Sequence, residues 1–259
     1  MNLICPLCKN SLIKKENSFY CVNNHHFDLA KSGYINLYLT NKSKSHGDNK
    51  EMIHARTSFL SKNYYLPLKI KLIEEIDKIN PNTLVDLACG EGYYTRDFNC
   101  PNKIGIDLSK DAIQYASKQD KSSQYCVASI FDCPIATESV DCVTTLFAPI
   151  ATNEINRILT PGGYFVGVFP AENHLLELKK TIYDTVYLNE KPQIDLDLKH
   201  ICTHRVTSLI HCDSNEDILN LFMMTPYYFK TSLQDKEKIN CLHQLDCTID
   251  FYITIYKKQ

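Results

Sequence analysis

Residues 83–95 read TLVDLACGEGYYT, a short apolar run that breaks into a glycine turn. Leu84–Leu87 is too short for an independent helix and is bounded by Pro81-Asn82 and by Gly90, so it predicts a buried strand and a tight turn. YYTRDF (93–98) then predicts the start of a helix. The unit repeats: KIGIDLS (103–109) ends an apolar run in Asp107 and is followed by the helical KDAIQYASKQ (110–119). SQYCVAS (123–129), SVDCVTTLF (139–147) and, after PGG (161–163), YFVGVF (164–169) continue the alternation. Short strands alternating with helical stretches predict βαβ units and a parallel sheet. CTIDFYITIY (247–256) alternates as a strand and predicts an antiparallel closing strand.

The first turn selects the ligand. A G-x-G-x-x-G loop would favour a dinucleotide, its pyrophosphate on the helix N-terminus. Here the loop is Gly90-Glu91-Gly92-Tyr93-Tyr94-Thr95, without the third glycine. Asp86 and Glu91 flank it. Two carboxylates repel a pyrophosphate but suit a cofactor carrying an ammonium and a sulfonium, which is S-adenosylmethionine. Asp107, ending the second strand, is placed to accept both ribose hydroxyls.

The N-terminus poses a separate question. Cys5, Cys8, Cys21 and the adjacent His25 and His26 give C-x2-C-x12-C-x3-H, the spacing of a tetrahedral Zn²⁺ held by two knuckles. A Cys5–Cys8 disulfide would strand Cys21, and core sulfurs would not need this spacing. The other nine cysteines, among them Cys133, are scattered singly and read as reduced small hydrophobes. With four ligands no position stays open, so the single ion is structural. Spacing alone leaves His25 and His26 both open as the fourth ligand. A module of about 40 residues cannot bury enough surface to fold without such a staple.

The chain has 259 residues, 44% hydrophobic and 22% charged, with a formal charge of −2. Residues 1–80 hold 12 Lys and Arg against 7 Asp and Glu, while the remainder holds 16 against 23. A basic front third suits a polyanion, though an uneven solvated surface would look the same. No apolar run approaches a membrane span and no apolar leader opens the chain, so a cytoplasmic protein is expected. The organisation expected is a zinc ribbon over 1–40, a linker and helical lead-in over 41–80, and a catalytic domain over 81–259. Lys42, Lys44 and Lys50 of the linker are placed to meet phosphates, with Tyr34 and Tyr38 to stack on bases; a plain polar linker, His46 included, is the equal alternative. Ile70, Ile73, Ile76 and Ile79 predict the packed face of a helix over 54–79.

CPLC…YCVNNHHFDLAKSGYINL, HGDNKEMIHARTSFL, DLACGEGYYT, FAP, HLLELK and MTPYYF, in this order from residue 5 to about residue 230, resemble the bacterial 23S ribosomal RNA guanine-N1 methyltransferases of the RlmA (RrmA) type. The resemblance implies an α/β, Rossmann-like S-adenosylmethionine-dependent methyltransferase, with a mostly parallel seven-stranded sheet and helices on both faces, preceded by a zinc ribbon that helps recognise an rRNA hairpin. It places the zinc ligands on Cys5, Cys8, Cys21 and His25, and cofactor contacts on Tyr65, Gly90, Glu91 and His174. Gly92 and Asp107 come from the general methyltransferase pattern. Partners implied are 23S rRNA or a precursor ribosomal particle, no membrane, and a second copy of the chain. Ile150-Ala151-Thr152, after FAP, departs from the small polar residue expected there.

Guanine N1 carries a proton at neutral pH, so a general base is expected. Asp132 and Asp141 lie near strand ends but suit caps or turns equally, and no catalytic residue is named. LFAP lacks the acceptor side chain that exocyclic-amine methylation uses, and Cys133 has no cation nearby to activate it. Two rivals remain: a small-molecule methyltransferase, and an inactive zinc-ribbon RNA-binding protein.

Overall fold

The computed structural model describes residues 3–39 and 48–259; the expectations for Lys42, Lys44 and His46 lie outside the described residues. In the N-terminal module, β1 (Ile13–Lys15), β2 (Ser18–Tyr20) and β3 (His26–Asp28) form an antiparallel sheet. The polar KKEN stretch makes the β1–β2 turn, with Glu16 at φ 51°. After β4 (Ile35–Asn36) come α1 (Lys50–Ser61) and α2 (Leu66–Ile79). The chain continues through β5 (Thr83–Leu87), β6 (Asn102–Asp107), α3 (Lys110–Gln119), β7 (Gln124–Val127), β8 (Val140–Leu146), α4 (Thr152–Ile158) and β9 (Leu159–Pro170). It ends with α5 (Leu176–Ile182), β10 (Lys199–Cys212), α6 (Asn215–Met223), α7 (Tyr227–Lys230), α8 (Leu233–Asn240) and β11 (Leu245–Lys257).

The large sheet runs β10-β11-β9-β8-β5-β6-β7-β4. All pairs from β9 to β4 are parallel, and β11 joins β9 and β10 antiparallel. The seven strands expected are present, and β4 adds an eighth from the N-terminal segment. From β5 the chain builds outward to β7, then returns to the other side of β5 with β8. Strand order therefore reverses between β5 and β8, and a crevice opens at their C-terminal ends.

Two sequence expectations need correcting. No full helix follows the glycine loop; Thr95–Asp97 makes one 3-10 turn. The Thr95 hydroxyl is drawn onto Asp86, and Pro101 disfavours helical backbone at Cys100, so the stretch is too short for two turns. The helix expected over 54–79 is two helices, broken where Asn63 adopts φ 64° and restarted with a proline in the first turn of α2. The buried stripe of α2 is Leu68, Leu72 and Ile76, whereas Ile70 is 50% exposed. Steps of three residues fall about 60° short of a turn each, so Ile70 and Ile79 lie on nearly opposite sides.

Apolar side chains cover both sheet faces. On one, Phe59, Leu68, Leu72, Leu178, Ile218 and Leu221 pack with Leu84, Val166 and Ile253. On the other, Leu3, Leu12, Phe19 and Ile35 of the N-terminal module join one core with Val85, Ile104, Val143, Ile155 and Phe165. Among the described residues no helix is long and apolar enough to cross a membrane.

Candidate cofactor site and metal centre

Cys5, Cys8, Cys21 and His25 converge, their ligand atoms all within 4.8 Å of one another. His25 Nδ1 is 3.4 Å from the Sγ of both Cys5 and Cys21, and Cys8 Sγ is 3.6 Å from Cys21 Sγ. A tetrahedral zinc with the usual bond lengths has S···N edges of about 3.5 Å and S···S edges of about 3.8 Å. The set therefore fits Zn²⁺ as it stands. Each knuckle is closed by backbone bonds, Lys9 N to Cys5 O at 2.8 Å and Asn24 N to Cys21 O at 3.1 Å. His26 is instead a β3 residue stacked on Tyr20. Geometry thus decides what spacing left open. None of the twelve cysteines is in a disulfide.

The crevice at the strand-order reversal is a cavity of about 530 Å³, within the range of small-molecule sites. Its walls come from the ends of β5, β6, β8 and β9, from α1, and from the segment before α7. The glycine loop curls along it with Ala88, Gly90 and Gly92 at φ 61°, 56° and 74°. A Cβ at Gly92 would lie 2.7 Å from the Tyr125 hydroxyl, so glycine is required there for space as well as φ. Phe147 and Leu175, also on the wall, hold φ 57° and 56°. Left-handed backbone in non-glycine residues costs about 1 kcal/mol or more and gathers at functional sites.

Tyr65, Asp86, Gly90, Glu91, Asp107 and His174 all line this one cavity; Gly92 does not, and packs instead against Tyr125 and Ala116. Asp86 is buried between the hydroxyls of Thr95 at 2.5 Å and Thr144 at 2.7 Å. Burial pushes its carboxyl up to about 6 against the pull of those two bonds. Asp107 accepts from Gly90 N at 2.9 Å and Ser109 N at 2.7 Å, leaving further lone pairs toward the cavity. Burial raises both Asp107 and Glu91, and for Glu91 the nearby Arg56 opposes the rise. Carboxylates beside an apolar wall suit a cofactor with cationic and hydroxyl-rich parts, so the residues present fit S-adenosylmethionine.

Sequence reasoning missed four wall residues. Arg56 and Asp48 come from α1 and the residues before it, far in sequence from the glycine loop. Tyr94 and Phe147 complete an aromatic wall with Tyr65 and His174; Phe147 lies 6.4 Å from Tyr94 and 6.5 Å from Tyr65, ring to ring. The Tyr94 hydroxyl is buried without a hydrogen-bond partner among the described residues. The rarity of arginine was the available signal for Arg56. The aromatic wall had none, because it depends on the turn after β8.

His174 lies against Phe251 at 4.4 Å, and its Nδ1 accepts from Asp250 N at 3.3 Å. That bond assigns the proton of the neutral ring to Nε2. Burial holds its pKa down to about 3, so the unfolded chain binds this proton at higher pH than the folded one. Stability is therefore expected to fall as pH drops below the unfolded value. Between about pH 7 and pH 4.5 the loss from this group is about 3 kcal/mol. Urea melts of the wild type and His174→Gln should show the variant losing less stability across that window; parallel curves would count against a neutral buried histidine.

Asp132 and Asp141 are not in the cavity. Asp132 pairs with Lys9 at the surface, and Asp141 caps the start of β5 through Asn82 N, Thr83 N and the Thr83 hydroxyl. Cys133 is buried elsewhere, its thiol pushed well up by burial and inert as a nucleophile. Ile150-Ala151-Thr152 leads into α4 and does not line the cavity; Ala148 does.

Fold, glycine loop and cavity define an S-adenosylmethionine-dependent methyltransferase that carries a zinc ribbon. Residues 3–46 match the family model of the RlmA N-terminal zinc ribbon, and residues 85–167 that of a methyltransferase domain. The chain belongs to the 23S rRNA (guanine-N1)-methyltransferase family. It is 31% identical over 185 residues to the 23S rRNA (guanine(748)-N1)-methyltransferase of Streptomyces fradiae, covering 68% of this chain and 66% of that protein. To YxjB of Bacillus subtilis, provisionally named as a 23S rRNA (guanine-N1)-methyltransferase, it is 31% identical over 193 residues, covering 69% and 68%. The chain thus spans about two thirds of these relatives' length. A malonyl-[acyl-carrier protein] O-methyltransferase of Pectobacterium atrosepticum matches at 30% over 106 residues, 38% of this chain and 42% of that protein. Among solved structures, the YcgJ protein of Bacillus subtilis superposes with TM-score 0.50 at 13% identity, covering 74% of this chain and 98% of that one, a likeness of fold.

Proposed function

We propose that this protein transfers a methyl group from S-adenosylmethionine to N1 of a guanosine in a hairpin loop of 23S rRNA. The observation that carries the reading is the placement of a zinc ribbon on the same sheet whose strand ends form the cofactor cavity. The substrate is the RNA itself or a precursor ribosomal particle, met in the cytoplasm, and the family suggests a homodimer. We assign residues 1–40 to RNA recognition, 41–80 to linker and lead-in, and 81–259 to methyl transfer.

S-adenosylmethionine, when bound, supplies an electrophilic methyl group on sulfur. Asp107 would hold the ribose hydroxyls, and Gly90 and Glu91 would pass alongside. Tyr65, Phe147, Tyr94 and His174 would exclude water and present a flat apolar surface to the target base. His174 is a neutral donor at Nε2, and its Nδ1 is already an acceptor, so it does not serve as base there. Among the described residues, each carboxylate lining the cavity already has a partner. The protein's contribution is alignment, and Zn²⁺ on Cys5, Cys8, Cys21 and His25 holds the recognition module in shape.

The test is methyl transfer from S-adenosylmethionine to unmodified 23S rRNA and to precursor particles, read by nucleoside mass spectrometry. An N1-methylguanosine peak is expected. Cofactor binding without any methylated nucleoside from either substrate would move the assignment to a small-molecule methyltransferase.

A further inference from the structure

Only four of the chain's 28 basic residues are arginines: Arg56, Arg96, Arg157 and Arg205. Two of them show what the guanidinium provides here that lysine does not. Arg157 lays its Nε and Nη2 on Glu154 at 2.9 and 2.7 Å, and Arg205 lays the same edge on Asp250 at 2.9 and 2.6 Å. This is the fork that matches a carboxylate with two parallel bonds.

Among the described residues, nothing bonds to that edge of Arg56. Its bonds among the described residues run from Nη1 alone, to Asp48 and to Glu91 at 3.4 Å. Its side chain is 21% exposed, and it lines the cofactor cavity together with both partners. Among the described residues lining that cavity, Arg56 is the one lysine or arginine; the carboxylates are Asp48, Asp86, Glu91 and Asp107, His174 is neutral, and burial pushes the Cys89 thiol and the hydroxyls of Tyr65, Tyr94 and Tyr227 up. A cofactor ending in an amino acid brings one carboxylate into a cavity of carboxylates. Without a cation to meet it, that group would be desolvated against like charge.

We propose that Arg56 binds the α-carboxylate of the cofactor's methionine portion through its Nε and Nη2 edge, while Asp48 and Glu91, bonded to Nη1, face the adjoining ammonium. This rests on the cofactor reading above and adds to it a residue that reads one functional group. The zwitterionic end meets a guanidinium flanked by two carboxylates, and the site selects cofactors that retain the carboxylate. Since α1 carries Arg56, the lead-in helix becomes part of the cofactor site. Asn49 caps that helix by accepting from Met52 N, and the Asp48 carbonyl accepts from the Ser109 hydroxyl, two residues past Asp107. The guanidinium is thereby held in register with the ribose end.

The experiment compares two ligands on the zinc-loaded protein by calorimetry: S-adenosylhomocysteine, which has the amino-acid end, and 5′-methylthioadenosine, which lacks it. Arg56→Gln is expected to weaken S-adenosylhomocysteine about 30-fold, the scale of lost hydrogen bonds to a charged group, and to change 5′-methylthioadenosine by less than about 2-fold. Arg56→Lys, which keeps charge but not the fork, should fall between. Equal weakening of both ligands would make Arg56 a prop for the glycine loop, and an unchanged ratio would equally overturn the proposal. A wild type that binds neither nucleoside would remove the cofactor reading itself.

Discussion

Replacing Asp107 with alanine should weaken S-adenosylmethionine binding by about 100- to 1000-fold, the equivalent of two charge-assisted hydrogen bonds to the ribose. Two structural facts make this position so sensitive. Asp107 ends β6 beside the strand-order reversal, and its carboxylate also clamps Gly90 N and Ser109 N. The alanine variant therefore loses the ribose acceptor and the clamp on the loop that runs past the cofactor. The fold should survive, because Gly90, one of the two residues whose amides are freed, lines the cavity; with about 2 kcal/mol lost, Tm falls about 4–8 °C. Asp107→Asn, which keeps one acceptor oxygen, should lose about 10-fold. RNA affinity should hardly change. Equal loss of RNA and cofactor binding would make Asp107 a folding residue instead.

Removing the zinc should have the opposite profile. Cys8 is the ligand to change, since Cys5 is fully buried in the shared core and its loss would confound metal with packing. Cys8→Ser should reduce bound zinc from one equivalent to near none. The described residues that line the cavity run from Asp48 onward, so S-adenosylmethionine should bind within a few-fold of wild type. Methylation of rRNA should fall by at least about 100-fold, and Tm by about 10 °C, because Leu3, Leu12 and Phe19 are held on the sheet by the stapled module. Full rRNA methylation without zinc would end the recognition role of the ribbon.

What could be read in the sequence depended on how local the cause was. LVDLA, KIGID and SVDCVTTLF are largely buried and carry Leu, Val or Ile on both faces, so composition marks them as strands. The zinc ligands were legible because a metal constrains spacing; choosing His25 over His26 needed coordinates, as the two alternate across β3's start. The helix expected after Gly92 failed because the Thr95 hydroxyl is bonded back across the turn to buried Asp86 and Pro101 closes the stretch, causes that lie outside the helical pattern itself. Arg56 and Asp48 reach the cavity only through the turn at Asn63 and the packing of α1, which no periodicity reveals. Two-residue β4 is likewise invisible as a pattern and exists through its register against β7.

That register has a consequence for how the chain is made. Ile35 pairs with Cys126, so β4 emerges from the ribosome about 90 residues ahead of its neighbour. At about 5–20 residues per second the wait is about 5–20 seconds. During it the N-terminal segment has Leu3, Leu12, Phe19 and Ile35 without the sheet they will cover. All four zinc ligands precede β4, and capturing the ion early would keep this apolar face in one shape until β7 arrives. The metal then acts as a placeholder in synthesis, and zinc-starved cells should lose this protein to aggregation while it is still nascent.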